Sequence, residues 1–138
     1  DLLSPLEVRR LAQKDFIQLC GEDPMTVAFL AHGGEGCISV TANVAPRLCA
    51  DLHLAWKEND LERVSFIRDR LALLNKALFS EGNPVPIKYA ASLLGLCHNE
   101  VRLPLLPASE HARTLVRAAL EYAELIPKEA TIGKESHG

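Results

Sequence analysis

The sequence predicts an α/β chain in which one β-α-β unit is followed by helices alone. Two short apolar runs, at residues 16–20 and 37–41, have the composition of strands buried on both faces. The segment between them carries helix-start and helix-stop signals, and strands joined through a helix are normally parallel with a right-handed connection. From Asn43 onward the apolar residues recur every three or four positions, which is the period of a helix.

Length and composition set the outer bounds. With 138 residues, 48% hydrophobic and 24% charged, the chain reads as a soluble globular protein, and a disordered or collagen-like chain is excluded. Its size suffices for one core without staples. Fifteen Lys and Arg face 18 Asp and Glu, for a net charge of -3, so no basic surplus exists to neutralise a nucleic-acid backbone. The four cysteines, Cys20, Cys37, Cys49 and Cys97, form no C-x-x-C pair and sit in apolar runs, as reduced buried thiols do. No apolar stretch reaches the ~20 residues of a membrane span, and the first residues lack a signal-peptide pattern. The expectation is a cytoplasmic protein with neither nucleic acid nor membrane as partner.

Taken in order, Ser4-Pro5-Leu6-Glu7 combines an N-cap serine, a proline at the first helical position and a glutamate three residues after the cap, predicting a helix over 5–14. Phe16-Ile17-Gln18-Leu19-Cys20 is the first strand, closed by Gly21. Asp23-Pro24 repeats the cap-then-proline signal and opens a helix that stops at Gly33. Cys37-Ile38-Ser39-Val40-Thr41, rich in β-branched residues, is the second strand. Asn43 is the candidate cap of a helix running through Leu48, Leu52 and Trp56. After Asp60, Leu61, Val64, Ile67, Leu71, Leu74 and Leu78 build the clearest helical face, ended by Glu81-Gly82. Asn83-Pro84 begins the next helix, with Ile87, Ala90, Ala91 and Leu94 inward and Gly95 as its stop. Pro104 and Pro107 punctuate an extended stretch. Ser109 opens a last helix through Leu115, Val116, Ala119, Leu120 and Ala123, and residues 128–138 read as a polar tail.

Two buried-type strands cannot make a stable sheet by themselves, because their outer edges leave backbone donors and acceptors unpaired. The abrupt start at a capped helix, without an initiator Met, predicts that the missing strands belong to sequence preceding Asp1.

Several motifs have bland readings. Gly33-Gly34-Glu35-Gly36 closes a helix and leads into a strand, the reverse of a phosphate-binding loop, so a helix stop and tight turn is the better account. His32, His53, His98, His111 and His137 show no i, i+4 pairing, which leaves metal binding without support. Ser39 with Asp23 or Asp51 and a histidine lacks the G-x-S-x-G elbow that exposes a nucleophilic serine. Lys88 lies near two prolines; a desolvated lysine can form Schiff bases, but on a helix it reads as a snorkelling surface residue and is assigned no chemistry. The run from Cys37 to Arg47 differs: a strand ending in small polar residues and passing into a helix is how α/β barrels build the rim that carries their active sites.

At these residues the sequence resembles the dihydrodipicolinate synthase family of pyruvate-condensing enzymes. The resemblance is carried, in order, by Gly21-Glu22-Asp23, Gly33-Gly34, Ile38-Ser39-Val40-Thr41-Ala42-Asn43-Val44-Ala45-Pro46-Arg47, Leu78-Phe79, Asn83-Pro84-Val85-Pro86-Ile87-Lys88-Tyr89-Ala90 and Arg102-Leu103-Pro104-Leu105. It runs from Asp1 to about Ile126; N-acetylneuraminate lyase shares the architecture but differs across the segment from Ser39 to Val44. One departure is Gly82, where the family commonly has proline.

The resemblance implies a C-terminal fragment of a TIM (β/α)8 barrel: residues 1–57 would be its last β/α units, with the seventh and eighth strands, and 58–127 an all-helical C-terminal domain. It also implies a lyase of lysine (diaminopimelate) biosynthesis that condenses pyruvate with aspartate semialdehyde without a metal or organic cofactor. The Schiff-base lysine, in a Lys-Glu/Asp-Ala-Thr motif, would precede Asp1, as would the other catalytic residues and those binding feedback lysine. No catalytic residue is therefore expected in this chain. Two substrate-binding positions carry over: Ile38, whose main-chain carbonyl borders pyruvate, and Gly21, where a side chain would crowd the pocket. The partners implied are the N-terminal half of the barrel and further copies of the protein in a homo-oligomer. The rival expectation is a noncatalytic helical module that pairs through its exposed strand edges.

Overall fold

A computed structural model describes residues 3–13 and 15–128, so most of the expected polar tail lies outside the described residues. The elements are α1 (Ser4–Leu11), β1 (Leu19–Cys20), α2 (Thr26–Ala31), β2 (Gly36–Cys37), α3 (Pro46–Lys57), α4 (Leu61–Leu78), α5 (Val85–Leu93) and α6 (Glu110–Tyr122). Short 3-10 turns, Asp23–Met25 and Thr41–Asn43, follow the two strands.

The β-α-β unit is present. β1 and β2 pair in parallel, with Leu19 beside Gly36 and Cys20 beside Cys37. Both strands are shorter than their apolar runs. Phe16 and Ile17 precede the paired ladder, and residues 39–41 leave it because the backbone N–H groups of Val40 and Thr41 donate to the Asp23 carboxylate.

Helix signals held where a side chain had a local donor to cap. Asp60 accepts from the Arg63 backbone N–H at 3.0 Å and starts α4, and Ser109 accepts from that of Ala112 at 3.2 Å and starts α6. Three other expected caps differ. Ser4 is already helical, with Leu3 in the cap position; Asp23 turns its carboxylate to the far strand; and Asn43 donates its side-chain amide to the Val40 carbonyl, leaving α3 to begin at Pro46. Gly33 ends α2 at φ +85, where a side chain is strained, and a Cβ on Gly34 would lie 2.1 Å from the Phe29 ring, so the glycines serve a stop and a close turn.

One core runs across residue 57. Leu52 and Ala55 of α3 pack with Val64, Ile67, Leu71, Leu74 and Leu78 of α4, with Ile87 and Ala90 of α5, and with Val116, Ala119 and Leu120 of α6. Two expected core positions of the helices are exposed, Leu61 on the first turn of α4 and Leu115 one residue off the buried stripe of α6, and the strands are not buried on both faces: Phe16, Ile17, Leu19 and Ile38 are exposed. Among the described residues no helix is long and apolar enough to cross a membrane.

Candidate functional site

The strand register determines what faces what at the C-terminal ends of the two strands. One step beyond the Cys20–Cys37 pair lie Gly21 and Ile38, and the Ile38 N–H donates to the Cys20 carbonyl at 2.8 Å. The two positions singled out by sequence are thus neighbours on one rim. The Ile38 side chain is 71% exposed, and a Cβ on Gly21 would meet no atom within 4 Å. Nothing in this chain itself demands a glycine at 21.

Asp23 holds the rim in shape. One carboxylate oxygen accepts the Ser39 hydroxyl; the other accepts the N–H groups of Val40 at 2.9 Å and Thr41 at 3.3 Å. Ser39 Oγ in turn accepts the Ala42 N–H at 2.8 Å. The hydroxyl of Thr41, fully buried, donates to Asn75 Oδ1 on α4 at 2.7 Å, tying the rim to the helical layer. Asn75 was not singled out by sequence. The available signal was a polar residue next to Leu74 and four after Leu71, on the face those leucines bury, where an amide requires a partner.

Behind the rim lies a cavity of 220 Å³ between α2, α3 and α4, with Asp23, Cys37, Ser39, Cys49, His53 and Asn75 on its walls. Its composition suggests chemistry, but its energetics do not. Burial raises the Cys37 thiol above its ordinary range and pushes Cys49 up to about 11, so both are protonated and poorly nucleophilic near neutral pH. Burial, and then the Lys57 charge, lower His53. Asp51 pairs with Arg63 at 3.5 Å, and Ser39 is engaged by Asp23 and by the Ala42 N–H, so no acid–histidine–serine relay forms among the described residues. Nor, among these residues, does any group of three His, Cys, Asp or Glu side chains have a metal-holding arrangement.

A second space, an open groove of 540 Å³, lies on the outer side of the same rim. Ile38, Val40 and Asn43 form one wall; Asn83, Ile87 and Lys88, from α5 and the residues before it, form the other. This groove, unlike the cavity, includes the Ile38 position.

Residues 1–123 match the Dihydrodipicolinate synthetase family. The chain belongs to that family. A 4-hydroxy-tetrahydrodipicolinate synthase of Gluconacetobacter diazotrophicus is 56% identical over 127 residues, covering 91% of this chain and 43% of the relative. One from Rhodospirillum centenum is 54% identical over 120 residues, covering 87% and 41%. The chain thus spans well under half the length of these dihydrodipicolinate synthetase relatives. Among solved structures, the dihydrodipicolinate synthase of Thermotoga maritima superposes with a TM-score of 0.86 at 38% identity, covering 91% of this chain and 44% of that one. A monomeric dihydrodipicolinate synthase variant superposes with a TM-score of 0.82 at 40% identity, covering 87% and 40%. Helices around one short parallel strand pair are what a part of this TIM-barrel family would contain.

Proposed function

We propose that this chain is the C-terminal half of a Schiff-base pyruvate lyase, a 4-hydroxy-tetrahydrodipicolinate synthase that condenses pyruvate with aspartate semialdehyde, and that it is inactive alone. Residues 1–57 would complete the barrel as its last two β/α units and 58–127 would form the helical domain, the two sharing one core. The observation that carries this reading is the unsatisfied strand pair. β1 and β2 have no further strand on either edge among the described residues, and the flanking apolar side chains are open: Phe16 is 52% exposed and Ile17 66%. Backbone edges and apolar surface of this kind are stable when further parallel strands cover them.

In the proposed reaction an amine supplied by the other half adds to the pyruvate carbonyl and expels water, giving an iminium. The positive nitrogen acidifies the methyl group; loss of a methyl proton gives an enamine, whose carbon attacks the aldehyde to form the new carbon–carbon bond. Hydrolysis then frees the amine. The contribution of this chain is the wall of the pocket: the Ile38 main chain beside pyruvate and Gly21 leaving room at the adjacent strand end, with Asp23 and Asn75 holding the residues 39–41 that follow Ile38. The noncatalytic module and N-acetylneuraminate lyase are not favoured, because the relatives at 54–56% identity carry the synthase name.

The test is complementation. The chain is co-expressed with the upstream part of the Gluconacetobacter relative, and pyruvate consumption is followed with and without aspartate semialdehyde. Activity requiring both polypeptides and both substrates is expected; a stable complex that never consumes pyruvate would refute the assignment.

A further inference from the structure

The groove beside Ile38 holds a charge without an ion-pair partner among the described residues: Lys88, on α5, half-buried in its wall. The lining contains no Asp, Glu or Arg. Asp23, the acid of the same rim, is occupied by the Ser39 hydroxyl and by two backbone N–H groups, and it lines the cavity behind the rim, not the groove. A single cation in a largely apolar concavity, on a chain of net charge -3, makes a local site of attraction for a small anion.

We propose that Lys88 recruits the carboxylate of an incoming keto or aldehyde acid into this groove and delivers it to the rim at Ile38. The proposal rests on the pyruvate-lyase reading and extends it to a residue that the helix context makes look like ordinary surface. Contact is noncovalent: the Lys88 ammonium donates to the substrate carboxylate and remains an ammonium. Lys88 is thus a binding residue at the approach to the site, separate from the amine that forms the Schiff base.

Cys97 provides a reporter. It is exposed, lines the same groove, and its thiol donates to the Lys88 carbonyl at 3.8 Å. Iodoacetamide modification of Cys97 in this chain is timed by mass spectrometry in sodium pyruvate, with sodium chloride of equal ionic strength as the control. Pyruvate should slow the reaction at least about twofold in the unaltered chain, have no effect in Lys88→Gln, and slow it again in Lys88→Arg. Equal protection in the unaltered chain and Lys88→Gln, or protection in neither, overturns the proposal. In the complemented enzyme, Lys88→Gln should raise KM about three- to tenfold with kcat nearly unchanged, the size of one carboxylate contact to a partly exposed cation. A rise for pyruvate alone, or for aspartate semialdehyde alone, identifies which acid is recruited; an unchanged KM for both overturns the proposal. If complementation yields no activity, the function reading fails by itself, and the Cys97 measurement still decides the role of Lys88.

Discussion

Asp23 shows how one side chain can replace a strand ladder. Its carboxylate gathers three donors from residues 39–41, so removing it leaves two backbone N–H groups and a hydroxyl without their partner near the core. Asp23→Ala should destabilise the chain by about 1–3 kcal/mol, read from urea unfolding, with loss of amide protection concentrated at Val40 and Thr41. A second tie lies at the opposite end of the strands. Arg9 donates to the Phe16 and Gly33 carbonyls and to Glu35, while the other Glu35 oxygen accepts the Gln18 N–H at 2.7 Å. The Gln18 N–H first, and then Arg9, hold the Glu35 carboxyl below its ordinary 4.5. A carboxyl lowered in the folded state binds fewer protons there than in the unfolded state. Its stabilising contribution is therefore present above pH 4.5 and is lost as pH falls through the lower, folded value. Urea midpoints measured from pH 7 down to pH 3 should fall less steeply in Glu35→Gln than in the unaltered chain; identical slopes would remove Glu35 from the account.

At the scale of elements, the helices were the most legible part of the sequence. The three-and-four spacing from Val64 to Leu78 describes the buried face of α4, and Leu74 at its centre is completely enclosed. Leu74→Ala should cost about 2–5 kcal/mol in unfolding free energy, whereas Leu106→Ala, at a position 70% exposed, should fall within about 0.5 kcal/mol of the unaltered chain. Caps were legible only where the partner was local, as at Asp60 and Ser109. Asp23 carries the same cap-then-proline signal, yet it bonds residues 16 to 18 positions away, and no local pattern reveals a bond of that range. Strand lengths were overread for a related reason. The composition of 37–41 reads as a strand, but the ladder ends with the Ile38 N–H on the Cys20 carbonyl, and the Val40 and Thr41 amides find a carboxylate instead. At the proposed site, the motif points to Gly21 and Ile38, and the register makes them neighbours. Lys88 and Asn75 were hidden, the first because a helical lysine resembles ordinary surface, the second because its partner Thr41 is 34 residues away.

Among the described residues, a well-packed helical layer is attached to a strand pair with no further strand on either edge. Leu74, Leu78, Val116 and Leu120 are all inaccessible, while Phe16, Ile17, Leu19 and Ile38 are exposed. That contrast is what a share of about two-fifths in the length of its relatives would produce if the remaining chain supplies the neighbouring strands. On the proposed reading the reactive amine belongs to the other share, and Lys88 holds a carboxylate without forming a covalent adduct. The most direct measurement is reductive trapping: the chain, alone and complexed with the upstream half of a relative, is treated with pyruvate and borohydride, and each polypeptide is weighed. The account predicts an unchanged mass for this chain in both samples and an added pyruvate on one lysine of the other half. A pyruvate adduct on Lys88, or on any other lysine of this chain, would contradict it.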